Sequence, residues 1–187
     1  MARTAARMVV ALLCLLAPPT ALAENVDPQG DGSRYAWSEN AGWINAEPLG
    51  EGGPGMVVGS AGLTGWMWGE NAGWISLSCE NTSSCGLTSY GVVNDGNGEL
   101  SGRAWGENTG WISFSCSSPS LCDPYGVVID PSTGVFSGRA WAENIGWISF
   151  SGAPPSAWSV RTSWRPATQG GRKPSPRPPR YRPASDP

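Results

Sequence analysis

Histidine is absent from all 187 residues, and charged side chains make up only 14% of them. Without imidazole the chain cannot assemble a Ser-His or Cys-His nucleophilic pair, and a metal site would need further thiolates in its place. Long apolar runs are missing too: the one from Met8 to Ala17 is shorter than the roughly 20 residues of a membrane-spanning helix. Leu, Ile, Val and Phe together supply only 24 of the 141 residues from Glu24 to Trp164, below the level of about 20% at which charged chains usually stay unfolded. No stretch carries helical periodicity, and no glycine-rich phosphate motif follows a strand and opens a helix.

What the chain has instead is tryptophan. All 11 tryptophans fall between Glu24 and Trp164, and eight are paired in four copies of the phrase W-x-E-N-x-G-W-I. The copies are AWSENAGWI at 36–44, MWGENAGWI at 67–75, AWGENTGWI at 104–112 and AWAENIGWI at 140–148. Their first tryptophans, Trp37, Trp68, Trp105 and Trp141, are spaced by 31, 37 and 36 residues, a period typical of repeat architectures. Their second tryptophans are Trp43, Trp74, Trp111 and Trp147. An indole can bury about 150–250 Å². In a chain so poor in aliphatics, the indoles are expected to form most of the core.

Residues 1–23 have the pattern of an export signal. Arg3 and Arg7 open it, Met8 to Ala17 is its apolar stretch, and Ala21-Leu22-Ala23 is its small-residue cleavage site. Cys14 follows Leu13, where a lipoprotein signal needs a small residue, so no lipid anchor is expected. Charge then divides the mature chain. From Glu24 to Ser151 there are 14 acidic residues against three basic ones, Arg34, Arg103 and Arg139, whereas from Gly152 onward seven basic residues accompany one acid, Asp186. The organisation expected is a signal peptide at 1–23, an acidic tryptophan-rich module at 24–164 and a Pro/Arg-rich disordered tail at 165–187, whose RKPSPRPPRYRP stretch cannot form a core. Only the tail is basic, so nucleic acid is not an expected partner.

Copies three and four extend the repeat, as YGVVNDGNGELSGRAWGENTGWISFSC from Tyr90 to Cys116 and YGVVIDPSTGVFSGRAWAENIGWISFS from Tyr125 to Ser151. Each divides into three short strands: a Val-rich one ended by the turn NDGNG or DPSTG, a second reaching the first tryptophan, and a third starting at the second tryptophan. The fold expected is all-β, with four repeated three-stranded antiparallel β-meander units. Alternation sends Ala104, Ile112 and Phe114 to one face and Arg103, Trp105, Trp111 and Ser113 to the other, so that the indoles meet across the hairpin loop. Within the loop, asparagine is expected to take a left-handed backbone and the following glycine to avoid a Cβ clash. Copy one has no Val-rich first strand, while Ala157 to Trp164 resembles a first strand with nothing after it. Placed in that gap, it closes the module into a propeller-like ring and removes both exposed sheet edges; a linear β-repeat stack is the alternative. Copy one also has Asn45-Ala46 where copies three and four have Ser-Phe, so its third strand is expected to be short.

Four cysteines follow the signal. Their identical local spacing favours disulfides Cys79–Cys85 and Cys116–Cys122 over crossed pairings in an exported chain. Glu39, Glu70, Glu107 and Glu143, one per copy, are better read as turn residues than as glycosidase carboxylates, because one catalytic centre would break the symmetry rather than repeat four times. Asn94 to Glu99 (NDGNGE) is taken as a hairpin turn rather than a calcium loop, since its counterparts lack the ligands. No catalytic residue, cofactor or metal is expected. Candidate ligand contacts are sought where the copies differ: Trp66 stands where copies three and four carry Arg103 and Arg139, and an exposed indole among polar groups suits the apolar face of a sugar. Asn81-Thr82-Ser83, in the first bridged loop, is a formal glycosylation acceptor.

From Tyr35 to Ser151, the recurring AW-x-EN-x-GWI with YGV and SG-x-AW around it resembles the AWSENIGWI-type tryptophan repeats of secreted and surface-exposed bacterial proteins. The resemblance implies a repetitive β architecture and an exported location: periplasmic, cell-surface or extracellular. It brings no catalytic residues with it. The function expected is therefore non-enzymatic, that of an envelope or extracellular binding and scaffolding module with a cell-surface glycan or envelope protein as partner. The alternative is a lectin-like carbohydrate binder using exposed tryptophans.

Overall fold

The computed structural model describes residues 25–49, 54–117, 122–153 and 157–167. The signal at 1–23 with Cys14, and the tail from residue 168 onward, lie outside the described residues.

Each copy of the repeated phrase folds as a hairpin. The strand pairs are Tyr35–Ser38 with Gly42–Asn45, Trp66–Gly69 with Gly73–Ser76, Glu99–Gly106 with Gly110–Ser113, and Phe136–Ala142 with Gly146–Ser149. The two tryptophans of each copy stand directly opposite one another. Copy one's third strand is as long as the others, so it is not shortened by Asn45-Ala46. The left-handed position belongs to the glycine before the second tryptophan, with φ between 68° and 79° at Gly42, Gly73, Gly110 and Gly146. The asparagine does not take that position. It reaches sideways instead: the side-chain amides of Asn71, Asn40 and Asn144 donate to the carbonyls of Ala41, Ile145 and Asn108 at 3.3, 3.1 and 3.1 Å. Each of these bonds ties one loop to the next, so the loops hold together around one end of the molecule.

Side by side, the hairpins close a ring. Ile44 pairs with Gly69, Ser76 with Trp105, Ser113 with Trp141, and Ser149 with Trp37, giving a closed antiparallel barrel of eight strands. The ring is one uninterrupted hydrogen-bonded barrel, neither a set of propeller blades nor a linear stack. Full closure leaves no strand edge at this level.

Extra strands form a second tier below the loops. Val92–Asn94 lies between Gly62–Thr64 and the first half of Glu99–Gly106, and Tyr125–Ile129 lies between that same half and Phe136–Ala142. Val57–Val58 adds on to Gly62–Thr64. The C-terminal segment enters the remaining gap: the Phe136 amide donates to Val160 at 2.8 Å, the Arg161 amide to Ser33 at 2.8 Å and the Asp27 amide to Arg161 at 2.9 Å. Asn25 completes the circuit with its side chain, donating to the Val58 carbonyl at 3.1 Å and accepting from the Val58 amide at 2.7 Å. The junction between tiers explains SG-x-AW. Gly102 and Gly138 have φ of 80° and 82°, and a Cβ on either would run into the carbonyl of Gly91 or Gly126, so only glycine fits.

The barrel decides which face is inside. An eight-stranded interior is just wide enough to be filled by side chains, and here each cross-strand pair contributes one isoleucine and one smaller or slender partner. Ala36 faces Ile44, Met67 faces Ile75, Ala104 faces Ile112 and Ala140 faces Ile148, all at most 2% exposed. Below them Phe114, Phe150 and Phe136 pack in a chain, with ring centroids 5.7 and 5.8 Å apart. The face assignment of Ala104, Ile112 and Phe114 holds, and theirs is the inner face. The expectation of a tryptophan core does not hold: among the tryptophans only Trp164 is buried, while Trp43, Trp74, Trp105 and Trp141 are 37–49% exposed. Eight indoles on one level do not fit inside eight strands.

Candidate functional site

Because the strands alternate, burying Ala104 and Ile112 turns Trp105 and Trp111 outward, and the same holds in every copy. The outside of the barrel therefore carries a belt of eight indoles. Cross-strand partners meet edge to face, Trp37 and Trp43 with centroids 4.9 Å apart and Trp141 and Trp147 4.8 Å apart. A further aromatic ring covers the second tryptophan: Tyr90 on Trp111 at 5.5 Å, Tyr125 on Trp147 at 5.0 Å and Trp158 on Trp43 at 5.2 Å. These three lids occupy one repeated position, two residues before Val92, Val127 and Val160, whose amides donate to Leu77, Phe114 and Phe150. The matching bond in copy two runs from the Met56 amide to Ala46, which puts Pro54 in the place of the lid. A pyrrolidine ring covers far less than a phenol or an indole, and the belt is open there.

The opening is a groove of about 540 Å³, lined by Trp66, Trp74 and Trp105 on its aromatic sides, within the ordinary range for small-molecule sites of about 300–1,000 Å³. Trp66 and Trp74 stand nearly perpendicular, at 83° with centroids 6.1 Å apart. Glu107 and Asn108 reach in from the third hairpin loop and Thr82 from the first bridged loop. A second recess of about 310 Å³ shares Thr82 and Trp105 with the first and adds Ser84, Thr88, Tyr90 and Trp111. Trp105 is thus the wall between two adjoining recesses.

The bridged loop is fixed to the barrel where it meets this groove. Cys79 pairs with Cys85, Cα atoms 4.9 Å apart, and Cys116 with Cys122, Cα atoms 6.4 Å apart, as the spacing predicts. A short helical turn, Cys79–Thr82, starts at Ser78, whose side chain accepts from the Glu80 amide. Asn81 uses both ends of its amide group: it accepts from the Gly65 amide at 3.1 Å, and it donates to the Gly65 carbonyl at 2.6 Å and to the Ser76 hydroxyl at 3.1 Å. The Tyr90 hydroxyl reaches the same Ser76 at 2.9 Å. The formal glycosylation acceptor is thus an anchor that holds Thr82 over the groove.

Of the candidate contacts, the structure brings Trp66 into the groove and leaves both arginines outside its lining. Trp66, Arg103 and Arg139 do share one register position, opposite Ser76, Ser113 and Ser149. Arg139 places its guanidinium carbon 4.2 Å from the centre of the Trp147 ring, sealing its own copy with a cation–π contact. Arg103 is exposed. Of the repeated glutamates, Glu143 accepts from the Trp111 amide at 3.0 Å, a tie between loops, whereas Glu107 faces the groove and is its only charged lining group among the described residues. In the second-tier turns, the Ser132 hydroxyl and then the amides of Thr133 and Ser132 hold Asp130 down to about 2. The Asn97 side chain and backbone amides likewise lower Asp95 within NDGNG.

Of the other lining residues, the sequence reads Glu107 and Asn108 as turn residues and Thr82 only as part of the glycosylation acceptor, and it gives Pro54 no role. A signal for Pro54 was present, since Pro54-Gly55-Met56 aligns with Tyr90-Gly91-Val92 and Tyr125-Gly126-Val127. No protein family, curated protein or solved structure matches the chain.

Proposed function

We propose that the chain is an exported, non-enzymatic β-repeat protein of the AWSENIGWI type that acts as an envelope or extracellular binding and scaffolding module, and that its ligand is a carbohydrate held in the groove of copy two. The barrel and its second tier are read as four three-stranded units, the last strand supplied by the C-terminal segment. One observation carries the carbohydrate assignment: three half-exposed indoles share a groove with one carboxylate, one carboxamide and one hydroxyl. Indole faces take the C–H face of a pyranose, while the polar groups offer donors and acceptors to its hydroxyls. Local disulfides fit an oxidising compartment. No helix among the described residues is long and apolar enough to cross a membrane.

A glycan array followed by tryptophan-fluorescence titration tests the assignment. At least one cell-wall or capsular glycan should bind and quench emission, and Trp66→Ala and Trp105→Ala should each abolish the effect. If no glycan alters the emission, the carbohydrate assignment fails and a protein partner takes its place.

A further inference from the structure

We infer that the sugar held in this groove carries an ammonium group, so that the ligand is an oligomer of a deacetylated amino sugar; the inference rests on carbohydrate binding at the groove. Three observations converge on it. The perpendicular rings of Trp66 and Trp74, with Trp105 as a third wall, form an aromatic corner of the kind that holds a cation against ring faces. Among the described residues the larger recess has a single charged lining group, the carboxylate of Glu107, and the smaller has none; that carboxylate complements an ammonium and repels a uronate. The chain from Glu24 to Ser151 as a whole is acidic, with 14 acids against three bases, and a net negative charge favours approach of cationic ligands over anionic ones.

The size and shape of the opening set the length of the ligand. A lone ammonium headgroup would leave most of about 540 Å³ unfilled, and the adjoining recess of about 310 Å³ continues past Trp105 beneath Thr82. A chain of at least two sugar units spans both recesses, with its amine beside Glu107 and a neighbouring ring against Trp105 and Trp111. Among the described residues the site is found in copy two, where Pro54 replaces the aromatic lid; in the other copies Tyr90, Tyr125 and Trp158 occupy that space.

The test is calorimetric titration of the full chain with a β-linked glucosamine oligomer, its N-acetylated counterpart, a uronate oligomer and oligolysine, at one pH that protonates the sugar amine and one that does not. The expected result is binding of the glucosamine oligomer at least tenfold tighter than its N-acetylated form, only at the lower pH, with no uronate or oligolysine binding. Glu107→Gln should erase the preference for the amine while keeping residual sugar binding. Pro54→Tyr should restore the lid and abolish binding with an unchanged melting temperature. Equal binding of the two oligomers, or a preference that survives Glu107→Gln, overturns the inference and leaves carbohydrate binding standing. Oligolysine binding as tightly as the glucosamine oligomer also overturns it, because charge alone would then suffice. If no sugar binds at either pH, the carbohydrate assignment falls together with the inference.

Discussion

Copies two and four use the same hairpin and present opposite surfaces. Inside the barrel they are interchangeable: Met67 faces Ile75 as Ala140 faces Ile148, and all four side chains are buried. Outside, copy four covers Trp147 twice, with Tyr125 at its edge and Arg139 over its face. Copy two has Pro54 and Trp66 at those positions, and Trp74 borders a groove. The inner face is set by the volume of the barrel and must repeat. The outer face carries no such constraint, so a site can arise in one copy by two exchanges that leave the fold unchanged.

The largest expected effect tests the sameness inside. Ile75→Ala and Ile148→Ala should each cost about 2–5 kcal/mol in urea unfolding, with neither copy spared. A much smaller cost in copy two would mean that the groove extends into the core. Next comes the exchange itself. Trp66→Arg should convert the outer face of copy two toward that of copy four and weaken ligand binding at least tenfold, about 1.4 kcal/mol, while global stability moves by less than about 1 kcal/mol. Retained binding would place the site elsewhere. A smaller effect is expected from Arg139→Ala, which removes an exposed cation from the half-buried Trp147 and should cost about 0.5–1 kcal/mol of stability without altering ligand affinity.

The smallest difference is in acid. Asp130 is held at about 2 by the hydroxyl and amides of its own turn, against about 3.9 for an unperturbed aspartate. Its folded-state value is depressed, so its contribution is present above about 3.9 and disappears as the pH falls toward about 2. The corresponding turn of copy two, Gly59 to Gly62, has no carboxylate. Thermal melts of wild type and Asp130→Asn should therefore differ at neutral pH and converge only as the pH falls to about 2, with the groove unaffected at both.

Much of the fold was legible because it is local or arithmetical. The hairpins followed from four repeats of one phrase and the disulfides from matched spacing, whereas the spare strand-like segment at Ala157 to Trp164, expected to close the ring, fills the second tier instead, and the barrel closes by Ser149 pairing with Trp37. Alternation divided Ala104 and Ile112 from Trp105 and Trp111 but could not say which side faced inward. That depends on how wide the interior is, a property of eight strands together and not of any one repeat. The role of the motif asparagine was hidden for a related reason. Asn71 serves Ala41 on the neighbouring hairpin, and Asn40 serves Ile145 across the seam that closes the ring, partners brought together only when the hairpins pair side by side. At the site, Trp66 stood out as a broken pattern, while Glu107 looked like one of four equal glutamates until the groove gave it a different neighbourhood.

The outward belt also has an optical consequence. Indole pairs held edge to face within 5 Å, Trp37 with Trp43 and Trp141 with Trp147, couple their electronic transitions. The far-ultraviolet circular dichroism of this protein should therefore carry a tryptophan couplet superimposed on the sheet signal, large enough to mislead a secondary-structure fit. The couplet reports whether opposing strands remain in register, so its disappearance on heating would time the opening of the hairpins separately from the loss of the sheet.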